Sequence, residues 1–234
     1  MIKTMSRMLV VAAHPDDEVL GCGATIAAER ARGTEVRVVI LADGITARYA
    51  KMNARAHREL QALYRDAIRA NAALGLQKSA LVFGKFPDMG MNAVPFINVV
   101  RFIKRIAQEF RPDVVYTHHA GDYNVDHRVA FDATLFASRP CAGEHAPSRL
   151  YSFEVPSSTE WAYQVRDGFR PTVYRDVART IRMKIEAMKR YRSEVRVYPH
   201  PRSPEALDIL ARKRGVEVNM TSAEAFELIR DLQR

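Results

Sequence analysis

Met8-Leu9-Val10-Val11-Ala12-Ala13-His14-Pro15-Asp16-Asp17-Glu18 is the stretch of sequence that decides the fold. Its first half is a short, continuous apolar run of the kind that forms a buried strand, and its second half is a cluster of polar groups. A Gly-containing segment and an alanine-rich stretch then run to Gly33, which predicts a helix that ends at a glycine. The segment therefore predicts a strand, a polar loop and a helix.

The same alternation is repeated along the chain. Strands are predicted at 35–42, 80–83 and 113–117, because these segments are short and rich in apolar residues. Helices are predicted at 54–74 and 95–110, because apolar residues recur there at helical spacing. Alternating strands and helices form a mostly parallel sheet with helices on both faces. The sequence therefore predicts an α/β fold, a Rossmann-like three-layer α/β/α architecture.

The pattern is less regular after His127. Helices are predicted at 128–138, 178–191, 204–214 and 223–230, and strands at 150–154 and 172–174. We interpret this region as a C-terminal α+β extension of the same domain. A chain of 234 residues, of which 47% are hydrophobic, suits one sizeable core. A single domain over residues 1–234 is therefore expected.

The cysteine count and the lengths of the apolar runs indicate the cellular compartment in which the protein is expected. Cys22 and Cys141 are the two cysteines of the sequence, too few for a disulfide framework, and we expect both to be reduced. No stretch approaches the roughly 20 apolar residues that span a bilayer, and the apolar run after the first residues is too short for a secretion signal. We expect a soluble, cytoplasmic protein without a membrane span.

The net charge of +9 allows three kinds of explanation: a nucleic-acid partner, an anionic substrate, or a solvated basic surface. Basic residues are densest at 166–214, where they are mixed with acidic ones, and no arginine-rich arm or aromatic RNA-binding signature accompanies them. We therefore expect no nucleic-acid partner. The expected partner is a small-molecule or glycoconjugate substrate, an anionic one included, and the sequence leaves open a homo-oligomer.

Two clusters of His and Asp side chains follow predicted strands. The first is at 14–18, and the second is Thr117-His118-His119-Ala120-Gly121-Asp122-Tyr123-Asn124-Val125-Asp126-His127. In open α/β sheets, ligands bind at the carboxyl ends of the strands. Adjacent carboxylates at such a place repel one another unless a cation compensates them. The sequence therefore predicts a metal site.

His14, Asp17 and His127 are the predicted metal ligands. Two imidazoles and one carboxylate, with a position left for water, form the ligand set of a catalytic zinc site, although Fe²⁺ or another divalent ion suits the same ligands. Asp16 remains free to act as the general base, and Asp126 can orient a metal-binding ring. Zinc lowers the pKa of bound water and polarises a carbonyl, so we expect hydrolysis of an amide or ester.

These motifs resemble the PIG-L/LmbE-like deacetylases. The resemblance rests on Ala-His-Pro-Asp-Asp-Glu at 13–18, Gly-Cys-Gly-Ala at 21–24 and Asn-Val-Asp-His at 124–127, and it extends to 65–75, 86–88, 184–193 and 223–226. It implies a Rossmann-like metalloenzyme that removes the N-acetyl group from a glucosamine-containing substrate. It also implies His14, Asp17 and His127 as metal ligands and Asp16 as the base.

Four further residues are candidates for binding the substrate. By the resemblance, Arg65 and Asp88 fall where related enzymes contact sugar hydroxyls, although a solvated helix face explains Arg65 equally well. Arg202 lies in a Pro-His-Pro-Arg loop, and we expect it to meet a phosphate or carboxylate. Asn124 can donate a hydrogen bond to an oxyanion.

Asn124 is also a departure from the family pattern. Family members often carry a histidine there that helps to stabilise the oxyanion or to protonate the leaving group, and an asparagine cannot deliver a proton. We therefore expect His118, His119 or Asp16 alone to cover that role. His118 is a catalytic candidate on this ground, with packing beside the metal ligands as its alternative function.

Two other functions are open to the same sequence. The metal site can serve an amidase that cleaves a thiol–sugar conjugate or another acyl amide, because specificity depends on the pockets around the metal. A nucleotide-binding module without hydrolysis needs a Gly-rich turn directly after the first strand. The sequence has His-Pro-Asp-Asp-Glu in that place, and Gly21-Cys22-Gly23 comes too late.

Overall fold

A computed structural model describes residues 6–163 and 165–233. The strands are β1 (Arg7–Ala12), β2 (Glu35–Ala42), β3 (Leu81–Phe86), β4 (Val114–His118), β5 (Arg149–Phe153), β6 (Val173–Asp176) and β7 (Ala223–Asp231). The helices are α1 (Asp17–Ala31), α2 (Ala54–Ala73), α3 (Phe96–Phe110), α4 (Val125–Ala137), α5 (Ile181–Arg190) and α6 (Pro204–Val216). In these two ranges, no helix combines the length and the hydropathy that a membrane crossing needs.

All seven strands lie in one sheet, in the order β3-β2-β1-β4-β5-β7-β6. The pairs from β3 to β5 are parallel, and β7 is antiparallel to both of its neighbours. One buried apolar cluster packs α1, α2 and α5 on one face of the sheet, and a second packs α3 and α4 on the other. The predicted three-layer α/β architecture is confirmed. Since the connections diverge from the adjacent strands β1 and β4, their carboxyl ends form a crevice.

The prediction of a helix at 223–230 was wrong, because this segment is β7. Its register places Phe226 opposite Phe153 of β5 and Val173 of β6. The local sequence Ala-Glu-Ala-Phe-Glu-Leu contains strong helix formers, which is why its pattern favours a helix. Pairing on both sides within the sheet overrides that propensity, which only long-range contacts could reveal.

Helix α1 is interrupted at Cys22, where φ is −147°. The interruption frees backbone groups on both sides of the break, and an ion pair from the C-terminal part of the chain satisfies them. Glu224 accepts from the backbone N–H of Ala24 at 3.1 Å, and Lys184 donates to the Leu20 carbonyl at 2.8 Å. Lys184 and Glu224 also bind each other at 2.7 Å. The buried pair thus replaces the helical hydrogen bonds that the interruption removes.

Gly21 directly precedes the interruption at Cys22, and its lack of a side chain matters for packing. A Cβ atom at this position would clash with the ring of Phe153, at the end of β5. The ring is fully buried, so it cannot move aside without opening the core. The glycine therefore allows α1 to approach the sheet beside the site.

A second ion pair, between the buried His119 and the partly buried Glu227, joins β7 to the segment after β4. His119 Nδ1 lies 2.8 Å from Glu227 Oε2, and Ser152 donates to the same oxygen. Burial lowers the pKa of His119. The hydrogen bonds to Glu227 and to the Asp167 carbonyl raise it by more than burial lowers it, so the pKa lies above its ordinary value. Burial raises the pKa of Glu227, but the His119 bond and other donors bring it below its ordinary value.

The substitution Glu227→Gln is expected to destabilise the fold in a pH-dependent way. The raised pKa of His119 stabilises the fold below about pH 6.5, and this effect is lost as the pH rises through the raised pKa. The lowered pKa of Glu227 stabilises the fold above about pH 4.3, and this effect is lost as the pH falls through the lowered pKa. We expect a loss of about 2 kcal/mol near pH 5.5 and a smaller loss at pH 9.

Urea unfolding at both pH values measures the difference. Glu186→Gln is the matched control, because Glu186 forms only a surface pair with Lys189 and its removal should leave the midpoint unchanged. An equal loss of stability at the two pH values would show that the charges of the pair contribute nothing.

Candidate active site

A cavity of about 550 Å³ opens at the carboxyl end of the sheet. Its walls come from the loops after β1, β2, β3, β4 and β5 and from the segment between α5 and α6. His14, Asp16, Asp17 and His127 line it together. The cavity therefore lies where the divergence of β1 and β4 predicts a ligand site.

The three predicted metal ligands converge on one point. His14 Nδ1 lies 3.2 Å from Asp17 Oδ2 and 3.3 Å from His127 Nε2, and His127 Nε2 lies 3.2 Å from the same Asp17 oxygen. The donor atoms all lie within 4.8 Å of one another. Two imidazole nitrogens and one carboxylate oxygen aimed at a common point suit a divalent cation such as Zn²⁺ or Fe²⁺.

Each of the two imidazoles is held from behind by a carboxylate. His14 Nε2 lies 3.1 Å from Asp126 Oδ2, and His127 Nδ1 lies 3.1 Å from Asp122 Oδ1. Both aspartates are fully buried. This arrangement fixes the orientation of each ring and leaves its other nitrogen directed at the common point.

His14, Asp88 and Asp126 form a second group with donor atoms within 4.8 Å of one another. In that group, however, both oxygens of Asp126 accept backbone N–H bonds, from Met89 at 2.7 Å and from Met91 at 3.0 Å. These bonds fix the Asp126 carboxylate against the His14 ring.

The electrostatics of the site favour a positive charge at the common point. Burial lowers the pKa of His127, but the charges of Asp17 and Asp122 raise it to about 9. Burial raises the pKa of Asp17, but the charge of His127 helps to bring it well below its ordinary value. The same carboxylates that attract a proton to His127 attract a metal cation, so the two compete for the site.

Asp16 lies at the start of α1 in a left-handed conformation, with φ 111°. Its backbone N–H donates to Glu18 Oε2 at 3.2 Å, and its Oδ2 accepts from Arg202 Nη1 at 3.0 Å. Burial raises the pKa of Asp16 well above its usual value, and the charge of Arg202 opposes that shift. A strained backbone that presents one side chain is typical of functional sites.

Arg202 lines the cavity, but its guanidinium is already paired. Besides Asp16, it binds Ser157 Oγ at 2.7 Å and Glu194 Oε2 at 3.4 Å. Arg48 binds the other oxygen of Glu194 at 2.7 Å. Sequence reasoning missed Arg48 and Glu194, whose partners lie far away in the chain and follow no motif.

Two of the predicted substrate-binding residues also line the cavity, and one does not. Asp88 Oδ1 lies 3.3 Å from His14 Nε2. Asn124 caps α4, where its Oδ1 accepts from the N–H of Asp126 at 2.9 Å. Arg65 is exposed on the outer face of α2, whereas Leu63 of that helix lines the cavity. The structure therefore does not bring Arg65 to the site, because helical geometry turns it away.

His118 is not brought to the cavity either. Its Nε2 accepts from the N–H of Ala13 at 2.8 Å, and its ring packs 4.0 Å from that of His127 between centroids. Burial, together with the charge of His127, lowers the pKa of His118 to about 3, so the ring is neutral near pH 7. Its position corresponds to the packing alternative rather than to a proton donor.

A Rossmann-like sheet with a His₂Asp constellation at the switch point between β1 and β4 defines a class of α/β proteins with a candidate catalytic metal site. A sequence model of the PIG-L family, described as GlcNAc-PI de-N-acetylase, matches residues 9–138. The chain belongs to the PIG-L family.

Individual relatives agree with this assignment. The chain is 30% identical over 250 residues to the 1D-myo-inositol 2-acetamido-2-deoxy-alpha-D-glucopyranoside deacetylase of Mycobacterium sp. (strain JLS), covering 87% of this chain and 79% of the relative. The N,N'-diacetylchitobiose deacetylase of Pyrococcus horikoshii has a TM-score of 0.76 at 19% identity, covering 97% of this chain and 85% of that one.

A third protein of the same fold has a different described activity. The 4-carboxy-2-hydroxymuconate hydratase of Pseudomonas putida KT2440 has a TM-score of 0.78 at 22% identity and covers 98% of both chains. At such identities the two structural likenesses show the fold alone. The reaction therefore has to be argued from the site.

Asp122→Asn is expected to weaken metal binding about 10- to 100-fold, because the amide no longer holds the His127 ring with a full negative charge. Competition with a chelator for Zn²⁺ measures the affinity. Asp132→Asn, on the exposed face of α4, is the matched control and should bind Zn²⁺ as the wild type does. Unchanged affinity of a folded Asp122→Asn protein would show that Asp122 does not support the metal site.

Proposed function

We propose that this protein is a metal-dependent N-deacetylase that hydrolyses the acetamide group of an N-acetylated sugar. The proposal rests on one observation: His14, Asp17 and His127 converge in one cavity. The carboxylate of Asp16 lines the same cavity and is not one of these three ligands. Membership of the PIG-L family and the described activity of the mycobacterial relative support it.

The donor set suits Zn²⁺, with Fe²⁺ or another divalent ion as the alternative. His14, Asp17 and His127 would hold the ion. When bound, it polarises the amide carbonyl and lowers the pKa of water, which makes hydrolysis possible near neutral pH.

Asp16 is the general base of the proposed reaction. As water adds to the amide carbon, Asp16 accepts one of its protons and then returns that proton to the departing nitrogen. A C–O bond forms, the C–N bond breaks, and the products are acetate and a free amine. The bond from Arg202 orients the Asp16 carboxylate for this transfer.

Asn124 is the proposed donor to the developing oxyanion. Its Oδ1 is the acceptor of the helix cap, so its amide nitrogen is the atom that can donate to the substrate. Since an amide cannot supply a proton, the protonation of the leaving nitrogen falls to Asp16.

The same site could serve an amidase that acts on a thiol–sugar conjugate or another acyl amide. The metal-binding motif cannot distinguish these substrates, because the surrounding pocket decides specificity. A substrate panel therefore has to include amides without a sugar.

Acetate release from N-acetylglucosamine derivatives is expected to require the metal. Treatment with a chelator should abolish release, and Zn²⁺ or Fe²⁺ should restore it, because the three ligands alone do not activate water. Enzymatic determination of acetate is the measurement. Release that survives complete metal removal, or release from none of the amides in the panel, would contradict the proposal.

Asp16→Asn is expected to lower kcat about 100- to 10,000-fold, the usual range for a general acid–base group. The variant should still bind Zn²⁺, because its amide does not replace any of the three ligands. Steady-state kinetics and metal content are measured on the same preparation. Asp132→Asn is again the control, and an Asp16→Asn enzyme that retains full activity would exclude Asp16 as the base.

A further inference from the structure

Arg202 and Asp16 are joined by a single hydrogen bond in the cavity. Arg202 Nη1 lies 3.0 Å from Asp16 Oδ2. Over the part of the chain that the structure describes, no hydrogen bond or ion pair reaches the other oxygen, Asp16 Oδ1. A guanidinium and a carboxylate frequently pair through two parallel bonds, which are stronger together than one. The single bond between these two buried or partly buried groups therefore needs a physical cause.

A second carboxylate, that of Glu194, attracts the same guanidinium. Glu194 Oε2 lies 3.4 Å from Arg202 Nη1, the nitrogen that also binds Asp16. Arg202 Nε in turn donates to Ser157 Oγ at 2.7 Å. The guanidinium would have to turn to form a second bond with Asp16. That turn would weaken both its attraction to Glu194 and its bond to Ser157.

Glu194 is itself held in place. Its Oε1 accepts from Arg48 Nη2 at 2.7 Å and from Ser193 Oγ at 2.9 Å, and its side chain is 7% exposed. Because these two donors bind Oε1, Oε2 is the oxygen that is left to face Arg202. Arg48 also offsets part of the charge of Glu194, which limits the attraction between Glu194 and Arg202.

The four charged side chains therefore alternate in sign along the cavity wall, in the order Arg48, Glu194, Arg202 and Asp16. Each inner member is shared between two partners of opposite charge. Arg202 is shared between Glu194 and Asp16, so neither carboxylate holds the whole guanidinium. Competition of this kind explains why Asp16 is bound at one oxygen only.

We propose that Glu194 is a positioning residue that restrains Arg202 to one oxygen of Asp16 and so leaves the other oxygen free to accept the proton of the attacking water. This inference rests on the proposed N-deacetylase function, in which Asp16 is the base. A general base needs an oxygen within hydrogen-bond reach of the proton that it accepts. A guanidinium bound to both oxygens would compete with the water for the base.

Glu194→Gln is expected to lower kcat about tenfold and to leave KM unchanged. The amide keeps the size of the carboxylate but removes its charge, so Arg202 is drawn onto both oxygens of Asp16. Steady-state acetate release measures both constants. An unchanged kcat would overturn the proposal. A raised KM with the wild-type kcat would also overturn it, because Glu194 would then contact the substrate itself.

Glu29→Gln is the matched control for the removal of a charge. Glu29 is a partly buried carboxylate outside the cavity that binds Arg32 and Thr34. Its substitution should leave kcat and KM unchanged, because neither partner touches the site.

A second substitution distinguishes positioning from a general loss of structure. Adding Arg202→Lys to Glu194→Gln should raise kcat about threefold above that of the Glu194→Gln variant, because an ammonium group cannot form the two parallel bonds of a guanidinium. If Glu194 only supported the fold, the second substitution would add its own loss to the first. Losses that add in the double variant would therefore overturn the proposal.

Crystal structures of the zinc-loaded wild type and of Glu194→Gln give a readout that does not depend on catalysis. The wild type should show one bond from Arg202 to Asp16, and the variant should show two, with His14, Asp17 and His127 unmoved. If the wild type releases acetate from no amide but the variant shows this change, the proposed function fails and the restraint by Glu194 stands. If the wild type releases acetate but Arg202 stays on one oxygen in the variant, the restraint fails and the proposed function stands.

Discussion

The carboxyl ends of β1 and β4 bring more negative charge together than a protein interior tolerates unpaired. Asp17, Asp122 and Asp126 are almost completely buried, and each lies within 3.2 Å of an imidazole nitrogen of His14 or His127. Isolated buried charges of this kind are costly. The arrangement is stable only if positive charge is supplied between them, as protons on the histidines or as a metal cation, and the rest of the site is organised around that requirement.

The start of α1 also depends on distant parts of the chain, because it contains a further buried carboxylate, that of Glu18. Glu18 is fully buried, and its Oε1 accepts from Asn71 at 2.7 Å and from the Tyr191 hydroxyl at 2.6 Å. Burial raises its pKa to about 7, although these donors oppose the shift. Because Glu18 Oε2 also accepts from the N–H of Asp16, α2 and the end of α5 help to set the unusual backbone of the proposed base.

Much of the fold and of the candidate site could be predicted from the sequence. The apolar runs of β1 and β2 predict buried strands, and the strand-end clusters predict that His14 and His127 meet, because parallel strands end at one edge. Arg48 and Glu194 are 146 residues apart, and no periodicity connects them. The error at β7 has the same origin, since its neighbours β5 and β6 are remote in sequence and local propensity favours a helix. Arg65 was misplaced because a motif match takes no account of the helix face.

The structure reduces the number of groups that are candidates for protonating the leaving nitrogen, which the sequence left as His118, His119 and Asp16. His118 is neutral and packs behind His127, and the ring of His119 is occupied by Glu227 and by a backbone carbonyl. Neither ring lines the cavity, so neither can reach a leaving nitrogen there. Among the groups that do line it, Asn124 can only donate a hydrogen bond. In the proposed reaction the carboxylate of Asp16 serves both the attacking water and the departing amine, and its bond to Arg202 limits how far it can move between them.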